Sequence, residues 1–179
     1  MNWWRLDPFF TIRMVFHLWH PNSPLSHPAL TRRVFFHDKV SDAYVEEFQR
    51  HISPFESFWW PISMMRQFTN PLRVVSHIIG WGSSASRILV LAGGEDRLMT
   101  LPVMQRLAGF YRDAFVRLVG EKKLDAKAED VHSISPADDL DNEGNGVRLC
   151  LVPGVGHHIQ NDVGWEVGAQ KLLEFYEQL

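Results

Sequence analysis

Two short apolar runs, each followed at once by a glycine-rich turn, constrain the fold of this chain more than any other feature. Residues 88–92 are apolar without interruption and end at Gly93-Gly94. Residues 147–152 contain one charge, Arg148, and end at Pro153-Gly154. Such runs are typical of strands buried on both faces of a parallel sheet. Since a helical pattern follows each run, the sequence predicts an α/β fold in which two parallel strands have flanking helices.

The first half of the chain, up to about residue 85, has no convincing strand and is rich in aromatic residues, proline and histidine. Its clearest helix start is Ser53-Pro54-Phe55-Glu56, where serine at the N-cap and glutamate three residues later form a capping box. A shorter helix is predicted after Ser41, with Val45 and Phe48 on its apolar side. This half is therefore predicted to be a small helical subdomain.

Two further segments complete the predicted organisation. The polar residues between Glu121 and Gly146 predict a solvated surface loop. The last helix is predicted from about Val163 to the end of the chain. Its apolar positions are expected to be buried, namely Trp165, Ala169, Leu172, Leu173 and Tyr176.

Composition excludes several classes of protein. The net charge of -3 and the pI near 6.3 argue against a nucleic-acid binder, which usually has a basic excess. No window has the roughly 20 apolar residues that a transmembrane helix needs, and the start of the chain lacks the order of a signal peptide. A cytoplasmic location is thus the default expectation. The aromatic N-terminus fits either packing within the protein or an interfacial membrane helix. The oligomeric state is left open.

One polar side chain follows each predicted strand. Asp96 comes directly after the first strand and its glycines, and His157 follows Gly154-Val155-Gly156 after the second. Ligands bind beyond the carboxyl ends of parallel strands, and neighbouring strands lie roughly 5 Å apart. We therefore expect the two side chains to come within hydrogen-bonding distance. A carboxylate held against an imidazole orients it and stabilises its protonated form, as in a nucleophile–His–acid triad.

These two segments resemble the α/β-hydrolase family. Residues 88–96, Ile-Leu-Val-Leu-Ala-Gly-Gly-Glu-Asp, are similar to the strand and turn that carry its catalytic acid, and residues 152–157, Val-Pro-Gly-Val-Gly-His, to its histidine loop. The family order of nucleophile, acid and histidine agrees with Asp96 preceding His157. The resemblance implies a helical cap over residues 1–85 and the C-terminal strand–helix units of the hydrolase core over residues 86–179.

The chain departs from the family at the nucleophile. No serine has glycine both two residues before it and two residues after it, so the family's Gly-x-Ser-x-Gly elbow is absent. The nearest stretch, residues 80–86, leads into the first strand instead of leaving one. The expectation is a C-terminal portion of a hydrolase, inactive by itself, whose parent acts on an ester with an apolar part. Epoxide hydrolase and dehalogenase chemistry stay open, because those relatives use an aspartate in the missing elbow.

The remaining alternatives concern metals, the pocket and a non-catalytic role. His17 and His20, one helical turn apart, form half a metal site at most, and His157 with His158 and Asp162 is a weaker metal candidate than a triad. We expect no metal and no cofactor. Phe55, Phe58, Trp59 and Trp60 are candidates for an apolar substrate pocket, or equally for the core of the cap. The rival to a hydrolase is a remnant that binds a protein partner through its aromatic face.

Overall fold

The computed structural model describes residues 7–20, 25, 27–52, 69–83, 86–132, 134 and 141–179. The fold of this part of the chain is α/β, with helices around one small mixed sheet. The helices are α1 (Phe10–Phe16), α2 (Pro28–Phe35), α3 (Asp42–His51), α4 (Pro71–His77), α5 (Leu101–Gly120) and α6 (Trp165–Glu177). The strands are β1 (Ile88–Gly93), β2 (Asn142–Gly144) and β3 (Val147–Val152), and single 3₁₀ turns occupy Ala128–Asp130 and Ile159–Asn161.

The two predicted strands are neighbours in the sheet and run parallel, as expected. The sheet order is β1-β3-β2, with Ile88 opposite Val147 and Gly93 opposite Val152. Parallel neighbours need a crossover connection, and α5 lies in that connection, packed on the sheet. Its Ala108 is fully buried against Val90 and Leu149. Because the strands are parallel and in register, the loops that follow them leave the sheet side by side.

Strand β2 corrects the prediction of a surface loop over residues 121–146. It pairs antiparallel with β3 across the two-residue turn Asn145-Gly146. Both turn residues have positive φ, 50° and 74°, as a type I′ hairpin turn requires. The asparagine side chain is also fixed, since it accepts from His132 N at 2.7 Å and donates to His132 O at 2.8 Å. The Asn-Gly pair specifies a hairpin even though β2 itself is polar.

The helices before β1 pack in two separate places. Helix α3 begins after Ser41, whose Oγ accepts from Tyr44 N, and its buried Val45 packs with Phe36, as the predicted helix required. Helix α4 packs instead against α5, in a cluster that contains Val75 and the ring of Trp81. The longer helix predicted from Ser53 lies outside the described residues. The division of the chain at residues 85 and 86 stays a prediction.

The prediction that α6 buries its apolar positions is wrong. Trp165 is 48% exposed and Tyr176 71% exposed, and Ala169, Leu172 and Leu173 are exposed too. The helix contacts the rest of the described protein through Phe175 and Gly168, at which a Cβ would lie 2.6 Å from Ile159 Cγ2. Ion pairs of Lys171 with Asp141 and of Glu174 with Arg148 add to these contacts. The exposed apolar residues lie about a quarter turn around the helix from Gly168 and Phe175, so these contacts leave the apolar side exposed.

Candidate acid–histidine site

The loops that follow β1 and β3 are bound to each other by backbone contacts. Gly94 N donates to Val152 O at 2.8 Å, and Glu95 N donates to Val155 O at 2.9 Å. A Cβ on Gly93 would stand 2.3 Å from Gly156 O and 2.8 Å from Val155 O, closer than a Cβ approaches a non-bonded atom in real proteins. The absence of a side chain at Gly93 is therefore a condition for bringing the two loops together.

Asp96 and His157 meet as the sequence predicts. The Asp96 Oδ2 atom lies 2.9 Å from His157 Nδ1. The other oxygen, Oδ1, accepts from the backbone N–H groups of Leu98 at 2.8 Å and Met99 at 2.7 Å. The carboxyl group is 6% exposed and the imidazole 31%. Its backbone bonds fix the carboxylate so that Oδ2 faces the ring.

This arrangement determines the state of the imidazole. A carboxylate only accepts hydrogen bonds, so Nδ1 of His157 carries the proton that it donates to Asp96. In the neutral ring the lone pair is then on Nε2, on the far side from the carboxylate. A partly exposed imidazole in this tautomer is chemically able to remove a proton from a bound group, while the carboxylate stabilises the imidazolium that forms.

Asp162 is a residue of the site that sequence reasoning considered only as a metal ligand. Its buried carboxylate accepts three backbone N–H groups at 2.7 Å, from Gly156 and His37 on Oδ2 and from Val163 on Oδ1. The N-cap preference of aspartate does not account for these bonds, because the N-cap of α6 is Gly164 and no side chain caps the helix. The bond to His37, 125 positions away, had no signal in the sequence.

Aromatic side chains from α2 and α3 surround the histidine loop. The ring of Phe35 lies 5.9 Å from that of His157 at an interplanar angle of 31°, and Phe48 lies 5.0 Å from the ring of His158. His158 therefore packs against these aromatic rings, with Nδ1 2.7 Å from Nδ2 of the Asn161 side chain. Burial, followed by the charge of His157, lowers the pKa of His158 below its ordinary value.

An ion pair joins the loop that carries Asp96 to the segment between α2 and α3. The guanidinium of Arg97, next to Asp96, donates to both carboxylate oxygens of Asp38, at 3.2 and 2.7 Å. The hydrogen bond from Arg97 lowers the pKa of Asp38. The acid loop and the histidine loop are thus both attached to the segment between α2 and α3.

Neither the described serines of the elbow-like stretch, residues 80–86, nor Cys150 lies at the acid–histidine pair. Ser83 and Ser86 precede β1, whereas Asp96 follows it, and the strand spans six residues, or about 20 Å. The Ser83 hydroxyl is bonded to Gly80 O and to Arg87. Cys150 is fully buried in β3, and burial raises the pKa of its thiol. None of these groups meets His157.

The remaining predictions concern the apolar pocket, metal binding and a membrane-spanning helix. The pocket candidates Phe55, Phe58, Trp59 and Trp60 lie outside the described residues. Within the described ranges, no three His, Cys, Asp or Glu side chains are close enough together to hold a metal ion. Among the same residues, no helix is both long enough and apolar enough to cross a bilayer.

Comparison with protein families, with curated proteins and with solved structures finds no match to this chain.

Proposed function

We propose that Asp96 and His157 are the acid and the base of a nucleophile–His–acid triad of the α/β-hydrolase type. One observation carries the proposal, the 2.9 Å contact between Asp96 Oδ2 and His157 Nδ1 beyond the carboxyl ends of two parallel strands. A chance pairing of surface groups would not need a carboxylate that is 6% exposed and bonded to two backbone N–H groups. Buried charge is expensive unless its partners are in place.

In this proposal each group has one task. A hydroxyl nucleophile attacks the carbonyl carbon of an ester while His157 Nε2 takes the hydroxyl proton. His157 then returns that proton to the leaving alcohol oxygen as the bond to the carbonyl carbon breaks, which leaves an acyl group on the nucleophile. Water then attacks the acyl group while His157 takes its proton, and His157 returns the proton to the nucleophile oxygen as the carboxylic acid leaves. Asp96 keeps Nδ1–H directed and stabilises the imidazolium in both halves.

The surroundings of the histidine support the apolar part of the proposed ester substrate. The half-buried ring of Phe35 lies beside the imidazole, and Phe48 packs behind it at 5.9 Å. An apolar acyl or alcohol group would bury its surface against such a wall at a gain of about 25 cal/mol per Å². A carboxylic ester with an apolar part is therefore the proposed substrate.

This sequence lacks the Gly-x-Ser-x-Gly elbow that would carry the nucleophile of the triad. We expect the 179-residue chain alone to react with no fluorophosphonate probe, and stoichiometric labelling of one of its serines would contradict this. The decisive observation is the coding sequence upstream of the Met1 codon. An in-frame Gly-x-Ser-x-Gly segment is expected there, and an in-frame stop codon with no such segment after it would overturn the proposal.

If the upstream codons supply that segment, the longer protein allows a direct test of the two residues. We expect its product to be labelled by the probe, and His157→Ala to abolish the labelling. Asp96→Asn should slow it by about 10⁴-fold, because the amide favours the wrong imidazole tautomer. Asp141→Asn is the matched control, since it makes the same change in an exposed carboxylate beside β3. Full labelling of the Asp96→Asn protein would refute the assignment.

A second function is favoured by the outer face of α6. This helix exposes Trp165, Leu172, Leu173 and Tyr176 on one side, and apolar residues exposed side by side mark interaction sites more often than scattered ones do. In this alternative the chain is a non-catalytic hydrolase remnant that binds another protein. It predicts a start codon at Met1 that is preceded by a stop codon, and no loss of function in His157→Ala.

A further inference from the structure

The carboxylate of Asp162 connects three segments that meet at His157. It is 3% exposed. It accepts the N–H of Gly156 in the histidine loop, the N–H of His37 after α2, and the N–H of Val163 before α6, each at 2.7 Å. One side chain thereby fixes the backbone at three points, and one of them, His37, is 125 positions away in sequence.

The chemistry of these bonds is suited to fixing position. All three donors are backbone N–H groups, which have defined directions, and none is a flexible charged side chain. Hydrogen bonds to an ionised acceptor are shorter and about twice as strong as those between neutral groups. A buried N–H that lost this acceptor would be left unpaired, which is unfavourable. The carboxylate therefore resists displacement of any of the three segments.

The histidine is anchored on both sides by this arrangement. The N–H of Gly156, directly before His157, is held by Asp162, and the N–H of His158, directly after it, donates to Phe35 O at 2.8 Å. Gly156 itself has no room for a side chain, because a Cβ would lie 2.8 Å from the carbonyl carbon of Phe36. The backbone that carries the imidazole is thus pressed against the end of α2.

We propose that Asp162 is a positioning residue for the imidazole of His157. By holding the Gly156 N–H and the His37 N–H on one oxygen, it clamps the histidine loop to the α2–α3 connection. This sets the ring within 2.9 Å of Asp96 and beside Phe35. The inference rests on the proposed role of His157 as a base, but the geometry it explains is measurable without turnover.

The test follows the proton on His157 Nδ1 by NMR in the full chain, with nitrogen-15 in the histidine rings and His157→Gln used for assignment. The wild-type protein is expected to show a strongly downfield Nδ1–H resonance and a single tautomer. In Asp162→Asn at least one N–H loses its acceptor, and in Asp162→Ala all three do. The resonance should weaken in that order, with the ring passing into a mixture of tautomers.

A purely structural role for Asp162 gives a different result. In that case the variants unfold at lower denaturant concentrations, while the His157 resonance in the folded protein is unchanged. A folded Asp162→Ala protein with the wild-type resonance would overturn the proposal. Asp141→Asn is again the control, because Asp141 also accepts a backbone N–H, but from Leu151 within β3 and not from the histidine loop or the α2–α3 connection.

Amide hydrogen exchange in the wild-type protein covers the case in which Asp162→Ala does not fold. The amides of Gly156 and His37 share one acceptor oxygen, so both should exchange as slowly as the amide of Cys150 within β3. Rapid exchange at Gly156 under conditions where Cys150 is protected would show that the clamp does not exist.

Labelling of the longer protein separates this inference from the proposed function. Misplacement of a reacting group by about 1 Å costs about 10²-fold in rate, so Asp162→Asn should be labelled by a fluorophosphonate about 10²-fold more slowly than wild type. If Asp96→Asn is labelled at full rate, the proposed triad is wrong. If Asp96→Asn is slow while Asp162→Asn reacts at full rate, the triad stands and the positioning role is wrong.

Discussion

The two ends of the β1–β3 pair are stabilised in opposite ways. At the carboxyl end, two buried carboxylates, Asp96 and Asp162, hold the loops through hydrogen bonds to backbone N–H groups. At the amino end, the ring of Trp81 packs 5.2 Å from that of Phe115 and covers Gly146, where a Cβ would lie 2.4 Å from the indole. The first end depends on polar groups that burial makes costly, and the second on apolar contact.

This contrast supports the proposed position of the acid–histidine site. Apolar contact stabilises a sheet end at no cost in desolvation, so two buried carboxylates at the other end need a reason beyond stability. Ligands of open α/β sheets bind at the carboxyl ends of strands. Variants that affect one end only should therefore separate stability from the state of His157.

The largest expected effect is at the amino end. Trp81→Ala removes a buried ring and the N–H that bonds Val75 O at 3.2 Å. We expect the free energy of unfolding to fall by about 4 kcal/mol, measured by urea denaturation. The Nδ1–H resonance of His157 should be unchanged in the folded protein. Its loss would show that the two ends are not independent.

Gly93→Ala should disrupt the carboxyl end of the β1–β3 pair. The added methyl would stand 2.3 Å from Gly156 O, so the loops must separate, and we expect a loss of about 3 kcal/mol together with loss of the Nδ1–H resonance. Gly109→Ala is the control, because nothing lies within 4 Å of its Cβ in the middle of α5. That change should stabilise the protein by about 1 kcal/mol. Equal unfolding curves for the two variants would contradict this account.

The ion pair between Asp38 and Arg97 should contribute much less. Both side chains are exposed, at 67% and 38%, so Asp38→Asn is expected to cost about 0.5 kcal/mol. Since Arg97 lowers the pKa of Asp38 from 3.8, this contribution is present above pH 3.8 and is lost as the pH falls through the folded-state pKa. A difference between variant and wild type that persists undiminished in 1 M salt would be inconsistent with a screened pair.

His158 should make the free energy of unfolding depend on pH in the acidic range, while its lowered pKa has almost no effect at neutral pH. Burial and the charge of His157 lower its pKa below 6.5, while Asp162 acts in the opposite direction. Between 6.5 and the folded-state pKa the unfolded chain binds more protons, so stability decreases as the pH falls through this window. Unfolding curves from pH 7.5 to 5 should show a shallower decrease in His158→Asn than in wild type. An identical slope would rule His158 out.

Local patterns in the sequence were sufficient for part of this structure. The apolar runs that end in glycines gave β1 and β3 and placed Asp96 opposite His157, because the period of a strand and its end are local properties. Strand β2 was missed because its residues Asn142–Gly144 are polar, and the Asn-Gly turn that forms the hairpin was read only as a loop.

What the sequence did not reveal depends on contacts between distant segments. Asp162 meets His37 only because the end of α2 lies on the histidine loop, and no periodicity records that. The exposure of α6 is of the same kind. A helical pattern shows which side of α6 is apolar, but the presence of something to pack against it is a property of the tertiary structure.

The close approach at Gly93 and Gly156 has a consequence for genetic variation at this site. Every other amino acid carries a Cβ, so every missense change in either codon inserts an atom where the structure has backbone within 2.8 Å. In a saturation mutagenesis library selected for folding, both positions should retain glycine alone, while Gly109 accepts many residues. Two positions that retain glycine would then mark the acid–histidine pair in the selected variants, without any change to Asp96 or His157.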